Sequence, residues 1–138
     1  MTLFCLDASA VLAWLLREDI AGVDSFFANL RVQDVLVAPQ LLRPECTSVI
    51  REQTFGGRIT PEEATQLVEV LGDLVLRVNT SVQQFSRALD LAERFRHAKA
   101  YDAQYLAVAE MENAELVTID QSLRHAAKEI GVAVRWLA

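Results

Sequence analysis

The stretch ELVTIDQSLRHAAKEIGVAVRWL, residues 115–137, decides the fold. ELVTI is a short apolar run of strand type, and it ends on Asp120. QSLRHAAKEIG follows as a helix whose stop is Gly131, and VAVRWL closes the stretch as another strand. Short apolar strands alternating with helices predict an open, mostly parallel sheet with helices on both faces.

The same grammar runs through the rest of the chain. TLFCL ends at Asp7 and is followed by the helix SAVLAWLLR, with Asp7 or Ser9 placed to cap it. AGVDSFFANL predicts a second short helix, and DVLVA a second strand. The helix through ECTSVIREQTF ends at Gly56-Gly57, and Pro44 must fall in or near its first turn, which puts Glu45 near the helix N-terminus. TPEEATQLVEVLGDL carries Thr60 as cap, Pro61 at the first helical position and Glu63 to close a capping box. LVLRV is a third strand, and Ser81 with Gln84 opens a helix through Arg96. The predicted architecture is three-layer α/β/α, with a mostly parallel five-stranded sheet and residues 1–138 forming a single domain.

Composition narrows the function. The hydrophobic content of 52% suits a compact globule rather than a disordered chain. Cys5 and Cys46 are the only cysteines, and each lies in an apolar segment, as buried thiols in a reducing compartment do. Two cysteines and two histidines make no zinc spacing. The apolar opening lacks a basic leader and is cut by Asp7, so neither a signal peptide nor a membrane span is expected, and a cytoplasmic location is. A net charge of -6 argues against a surface that simply coats nucleic acid, unless several of the acids share one cation.

Four acids have that potential. Asp7 follows the first strand and Asp120 the fourth, so both should stand at the carboxyl edge of a parallel sheet, where ligands bind. Glu45 near its helix N-terminus belongs to the same edge. KAYDAQYLAVAE, residues 99–110, reads as a helix in which Asp102 leads an apolar stripe with Leu106 and Ala109, and Ala98 a turn earlier, so Asp102 is expected to point inward. Two unit charges about 4 Å apart cost roughly 4 kcal/mol at an effective dielectric near 20. Four such acids need a cation or protons. All-oxygen ligands without His or Cys favour Mg²⁺ or Mn²⁺, which can orient a phosphodiester and acidify a bound water.

LDASAVLAWLL, PQLLRPECTSVIRE, KAYDAQYLAVAE and LVTID resemble the four ordered motifs of PIN-domain ribonucleases, especially VapC-type toxins of prokaryotic toxin–antitoxin pairs. The resemblance spans nearly the whole chain. It implies that Asp7, Glu45, Asp102 and Asp120 form a catalytic, metal-binding acidic pocket, and that Ser9 and Thr118 support it by hydrogen bonds. It also implies Mg²⁺- or Mn²⁺-dependent cleavage of RNA, a homodimer and a cognate antitoxin. Lys99, Gln121 and Pro44 depart from the usual pattern around these acids.

Each acid taken alone has a plainer explanation, as a helix cap, a first-turn acid or a turn residue. RFRHAK, residues 94–99, offers Arg94, Arg96 and Lys99 to RNA phosphate, but cations at a helix C-terminus also complement its dipole. Tyr101 and Tyr105 are expected to be packing residues, and Trp14, Phe26 and Phe27 either core or a partner groove. His97 and His125 are expected to have no catalytic part. The competing function is a non-catalytic PIN-like binding module whose acidic pocket clasps a basic partner segment. A phosphatase or receiver domain is disfavoured, because Ser9 stands where a second aspartate would be needed and Asn79 and Thr80 follow the third strand.

Overall fold

The computed structural model describes residues 2–97 and 100–138. Its strands are β1 (Leu3–Leu6), β2 (Val35–Pro39), β3 (Leu76–Asn79), β4 (Glu115–Thr118) and β5 (Val134–Trp136). They form one sheet in the order β3-β2-β1-β4-β5, and all four neighbouring pairs are parallel. Register is set by pairs such as Cys5 with Val37, Leu6 with Val117 and Thr118 with Trp136. Phe4, Cys5 and Leu6 are buried in succession, as expected of a central strand covered on both faces.

From β1 the chain builds outward through β2 to β3, then returns to place β4 on the other flank of β1. The strand order therefore reverses between β1 and β4. In an open parallel sheet the crevice beyond the carboxyl ends at that reversal is the natural ligand site. Asp7 and Asp120 stand just past those two strand ends.

The helices are α1 (Ala8–Leu15), α2 (Ala21–Ala28), α3 (Leu42–Phe55), α4 (Pro61–Asp73), α5 (Val82–Arg94), α6 (Tyr101–Met111) and α7 (Gln121–Glu129). Pro44 lies in the first turn of α3, where its missing N–H interrupts no intrahelical bond. Gly57 and Gly131 follow the ends of α3 and α7 at φ 73 and 77, the left-handed step that ends a helix. Thr60 caps α4 by accepting the Glu63 N–H at 3.1 Å. The Glu63 carboxylate accepts the Thr60 hydroxyl at 3.3 Å rather than the Thr60 N–H, so the expected capping box is only half made. Ser81 makes no side-chain cap on α5; its hydroxyl donates to Asn79 Oδ1 at 2.8 Å, which also accepts the Ser81 N–H. The α5 helix stops at Arg94, two residues short of the expected Arg96.

Arg43 fixes α3 against α4 by donating to the Leu71 and Leu74 carbonyls, which lie at the otherwise unpaired end of α4. Trp14 stacks on Phe27 at 4.3 Å, while Phe26 meets both Phe27 and Phe4 edge-on, so these rings join α1 and α2 to β1, Phe4 and Phe26 buried in the core and Trp14 and Phe27 half-buried against it. Cys5 and Cys46 are free, buried thiols. Among the described residues, no helix is long and apolar enough to cross a membrane.

The carboxyl end of the chain closes against α2 at Gly22. A Cβ there would lie 2.2 Å from the Leu137 carbonyl oxygen, a contact with rigid backbone. Gly22→Ala should therefore lower the denaturant midpoint by an amount worth about 1–3 kcal/mol, the usual cost of overpacking. An unchanged midpoint would mean that this end of the chain yields freely.

Candidate acidic active site

Asp7 sits at the junction of β1 and α1, and its side chain has two tasks there. It caps α1, with Oδ1 accepting the Ala10 N–H at 3.0 Å, and it collects two hydroxyls. Ser9 donates to Oδ1 at 2.8 Å and lies 2.9 Å from Oδ2, while Thr118 donates to Oδ2 at 2.7 Å. Both hydroxyls also receive backbone protons from the segment after β4: Ser9 from Ile119 at 3.3 Å and Thr118 from Asp120 at 2.9 Å. Ser9 and Thr118 thus tie the end of β4 to the end of β1 through the Asp7 carboxylate.

Asp7 is only 3% exposed. Burial pushes its pKa up to about 6, and the nearby charge of Asp120 adds to the rise, against the lowering effect of its donors. Asp120 caps α7, with Oδ1 accepting the Leu123 N–H at 3.0 Å and the Ser122 hydroxyl at 2.8 Å. Its Oδ2 has no hydrogen-bond donor among the described residues.

Asp102 lies in the first turn of α6. It does not point into the core: its side is exposed, whereas Ala103 and the run from Tyr105 to Ala109 are buried. The helix is buried nearly all round from Tyr105 to Ala109, so the apolar stripe expected below Asp102 is a whole buried cylinder, and Asp102 lies in the first turn, outside it. Ala98, the stripe's earlier member, lies outside the described residues. Partial desolvation still raises the pKa of Asp102, Asp120 raises it further, and His97 offsets part of the rise.

Glu45 is half-buried in the first turn of α3, where Oε1 accepts the Tyr105 hydroxyl at 2.7 Å. Burial raises its pKa, the Tyr105 bond works against that, and the charge of Asp102 adds to it. The electrostatic neighbours thus run in a chain: Asp7 to Asp120, Asp120 to Asp102, Asp102 to Glu45. The four acids share one end of the molecule. Among the described residues, however, no three acids, histidines or cysteines stand close enough to grip one metal ion together. The acids are neighbours without forming a closed chelate, and raised pKa values of three of them absorb part of the repulsion.

Of the basic candidates, Arg94 ends α5 with its guanidinium over the Phe95 ring at 5.5 Å, and Arg96 is exposed. Lys99 lies outside the described residues. His97 comes within electrostatic reach of Asp102, which brings this segment toward the acids. Sequence reasoning missed Tyr105, which was expected only to pack. It does pack, at 1% exposure, and it also holds Glu45. The available signal was its place one helical turn after Asp102, together with the need of any buried tyrosine hydroxyl for a partner.

Residues 4–129 match the PIN domain family. No curated protein matches the chain. The fold is similar to that of VapBC2 from Rickettsia felis, solved bound to a DNA fragment from its promoter, at 11% identity and a TM-score of 0.74 over 99% of this chain and 100% of that one. It is similar to PAE2754 from Pyrobaculum aerophilum at 23% identity and a TM-score of 0.71, over 96% and 87% of the two chains. Mycobacterium tuberculosis VapC20, a toxin that cleaves the sarcin-ricin loop, aligns at 16% identity and a TM-score of 0.65, over 89% and 94%.

Proposed function

The chain belongs to the PIN domain family, and from that premise we propose that it is a Mg²⁺- or Mn²⁺-dependent endoribonuclease, the toxin of a toxin–antitoxin pair. The observation that carries this reading is the row of four electrostatically linked carboxylates at the point where the strand order reverses. The likeness of its motifs to VapC-type toxins, and of its fold to an RNA-cleaving toxin, supports RNA as the substrate and an antitoxin as a partner. A homodimer is part of the same proposal.

The donor chemistry suits a hard divalent cation. Asp102, Oδ2 of Asp120 and Oε2 of Glu45 have no hydrogen-bond donor among the described residues, and Asp7 is held rigidly beside them. Asp7 and Asp102 are the proposed principal ligands, with Asp120 and Glu45 completing the set. When bound, such a cation supplies charge for the phosphodiester and a water acidified enough to attack it. Asp7 keeps a fixed pose because Ser9, Thr118 and Ala10 hold both of its oxygens. Glu45 and Asp120 would complete the pocket or tune the water that such a cation binds. Arg94, Arg96 and Lys99 are proposed to meet the RNA backbone on the side of His97.

One observation favours the second reading, a binding module that clasps a basic segment: no three of the described acids are close enough to grip an ion. The two readings separate in one assay. Purified protein incubated with structured RNA should cut it, leaving 5′-phosphate and 3′-hydroxyl ends, with Mg²⁺ or Mn²⁺ and not with chelator. Cleavage that persists in chelator contradicts the metal dependence, and intact RNA in millimolar Mn²⁺ favours the module.

A further inference from the structure

Tyr105 belongs to α6, the helix that carries Asp102 one turn earlier, yet its hydroxyl reaches across to α3 and donates to Glu45 Oε1 at 2.7 Å. Its carbonyl accepts the Cys5 thiol at 3.6 Å, two residues before Asp7 on β1. One buried residue therefore connects α6 to α3 through its side chain and to β1, the strand that ends just before Asp7, through its backbone carbonyl. Its ring is 1% exposed, so core packing on every side fixes the hydroxyl's position. Glu45 is different: it is half-buried, and Tyr105 is the one donor to its carboxylate among the described residues.

We infer that Tyr105 is a positioning residue that fixes the Glu45 carboxylate, holding Oε1 on the core side and leaving Oε2 free toward Asp102. A long, half-buried glutamate side chain that nothing holds samples several rotamers, and a metal must then order it at the moment of binding. A hydrogen bond from a rigid tyrosine removes that cost beforehand, as outer partners of ligating carboxylates do. Pro44, immediately before Glu45, fixes the backbone that precedes it in the same sense. The inference rests on the reading of Glu45 as a metal ligand.

The test is a double-mutant cycle read by Mn²⁺ titration of the purified protein, followed by calorimetry, with thermal melts to confirm that each variant folds. Tyr105→Phe removes only the hydroxyl and should weaken Mn²⁺ binding by about tenfold, at the low end of the losses seen when outer partners of ligands are removed. In a Glu45→Ala background the same substitution should cost nothing further, because the residue it holds is gone. An equal loss in both backgrounds, or no loss in either, overturns the inference. If the natural sequence binds no Mn²⁺, the ribonuclease reading fails by itself, and a crystal structure of metal-free Tyr105→Phe decides the positioning role. Glu45 leaving its place, or splitting into alternative rotamers over an unmoved backbone, supports it; an unmoved Glu45 carboxylate overturns it.

Discussion

Asp7→Asn should lower the proposed metal-dependent RNA cleavage by more than about 100-fold, beyond what loss of an outer partner of a metal ligand costs, while the fold should survive. The geometry explains both halves. Asparagine Oδ1 can still accept the Ala10 N–H that caps α1, so the helix start is kept. Its amide nitrogen would face Thr118, whose hydroxyl now donates to Asp7. That hydroxyl can turn instead toward Ser9, 3.4 Å away, and accept from the amide. What is lost is the anion. Full cleavage by a purified, folded Asp7→Asn protein would contradict the proposed role of Asp7.

The same substitution should stabilise the protein when no metal is present. Burial raises the Asp7 pKa from 3.8 to about 6 in the folded protein, so the folded state holds a proton that the unfolded chain has released. The sign follows directly: the stabilising proton is fully present below pH 3.8 and is lost as pH rises through about 6. The ionised carboxylate then weighs on the fold by about 3 kcal/mol at pH 7.5. Relative to Asp7→Asn, the metal-free natural sequence should therefore nearly match at pH 3 and fall behind by about that much at pH 7.5, measured by urea unfolding at the two values. A gap independent of pH, or one that closes as pH rises, contradicts the account. Excess Mg²⁺ should narrow the gap at pH 7.5, because a ligand that binds only the folded state adds stability that grows with the logarithm of its concentration above Kd.

Both outcomes depend on a residue that the sequence pattern marks by itself, as it does not for all of its neighbours. Asp7 and Asp120 each follow an apolar run and precede a helix, and parallel pairing alone places such residues at one edge. Pro44 forced Glu45 into a first turn by removing an N–H that only a helix start can spare. Ser9 and Thr118 were visible as hydroxyls two residues from those acids, and both reach Asp7. Asp102 faces outward where its stripe predicts inward. Periodicity tells which residues share a face, but α6 is buried on almost every face, so its stripe had no contrast from which to tell inside from outside. Tyr105 was invisible in its second role because a contact between residues 45 and 105 depends on how two helices cross, which local pattern does not encode. Ser81 illustrates a smaller miss. A serine before a helix is a good cap, but Asn79 offered its hydroxyl a competing partner.

Asp7, Asp102, Asp120 and Glu45 are proposed to hold a divalent cation together, small side-chain movements bringing within reach of it acids of which no three described ones now stand close enough. Anomalous scattering from crystals equilibrated with Mn²⁺ tests it most directly. A manganese peak bound by Asp7 and at least one of Asp102 and Asp120, beyond the ends of β1 and β4, is the predicted result. A peak elsewhere, or none at saturating Mn²⁺ with these carboxylates unmoved, would contradict it.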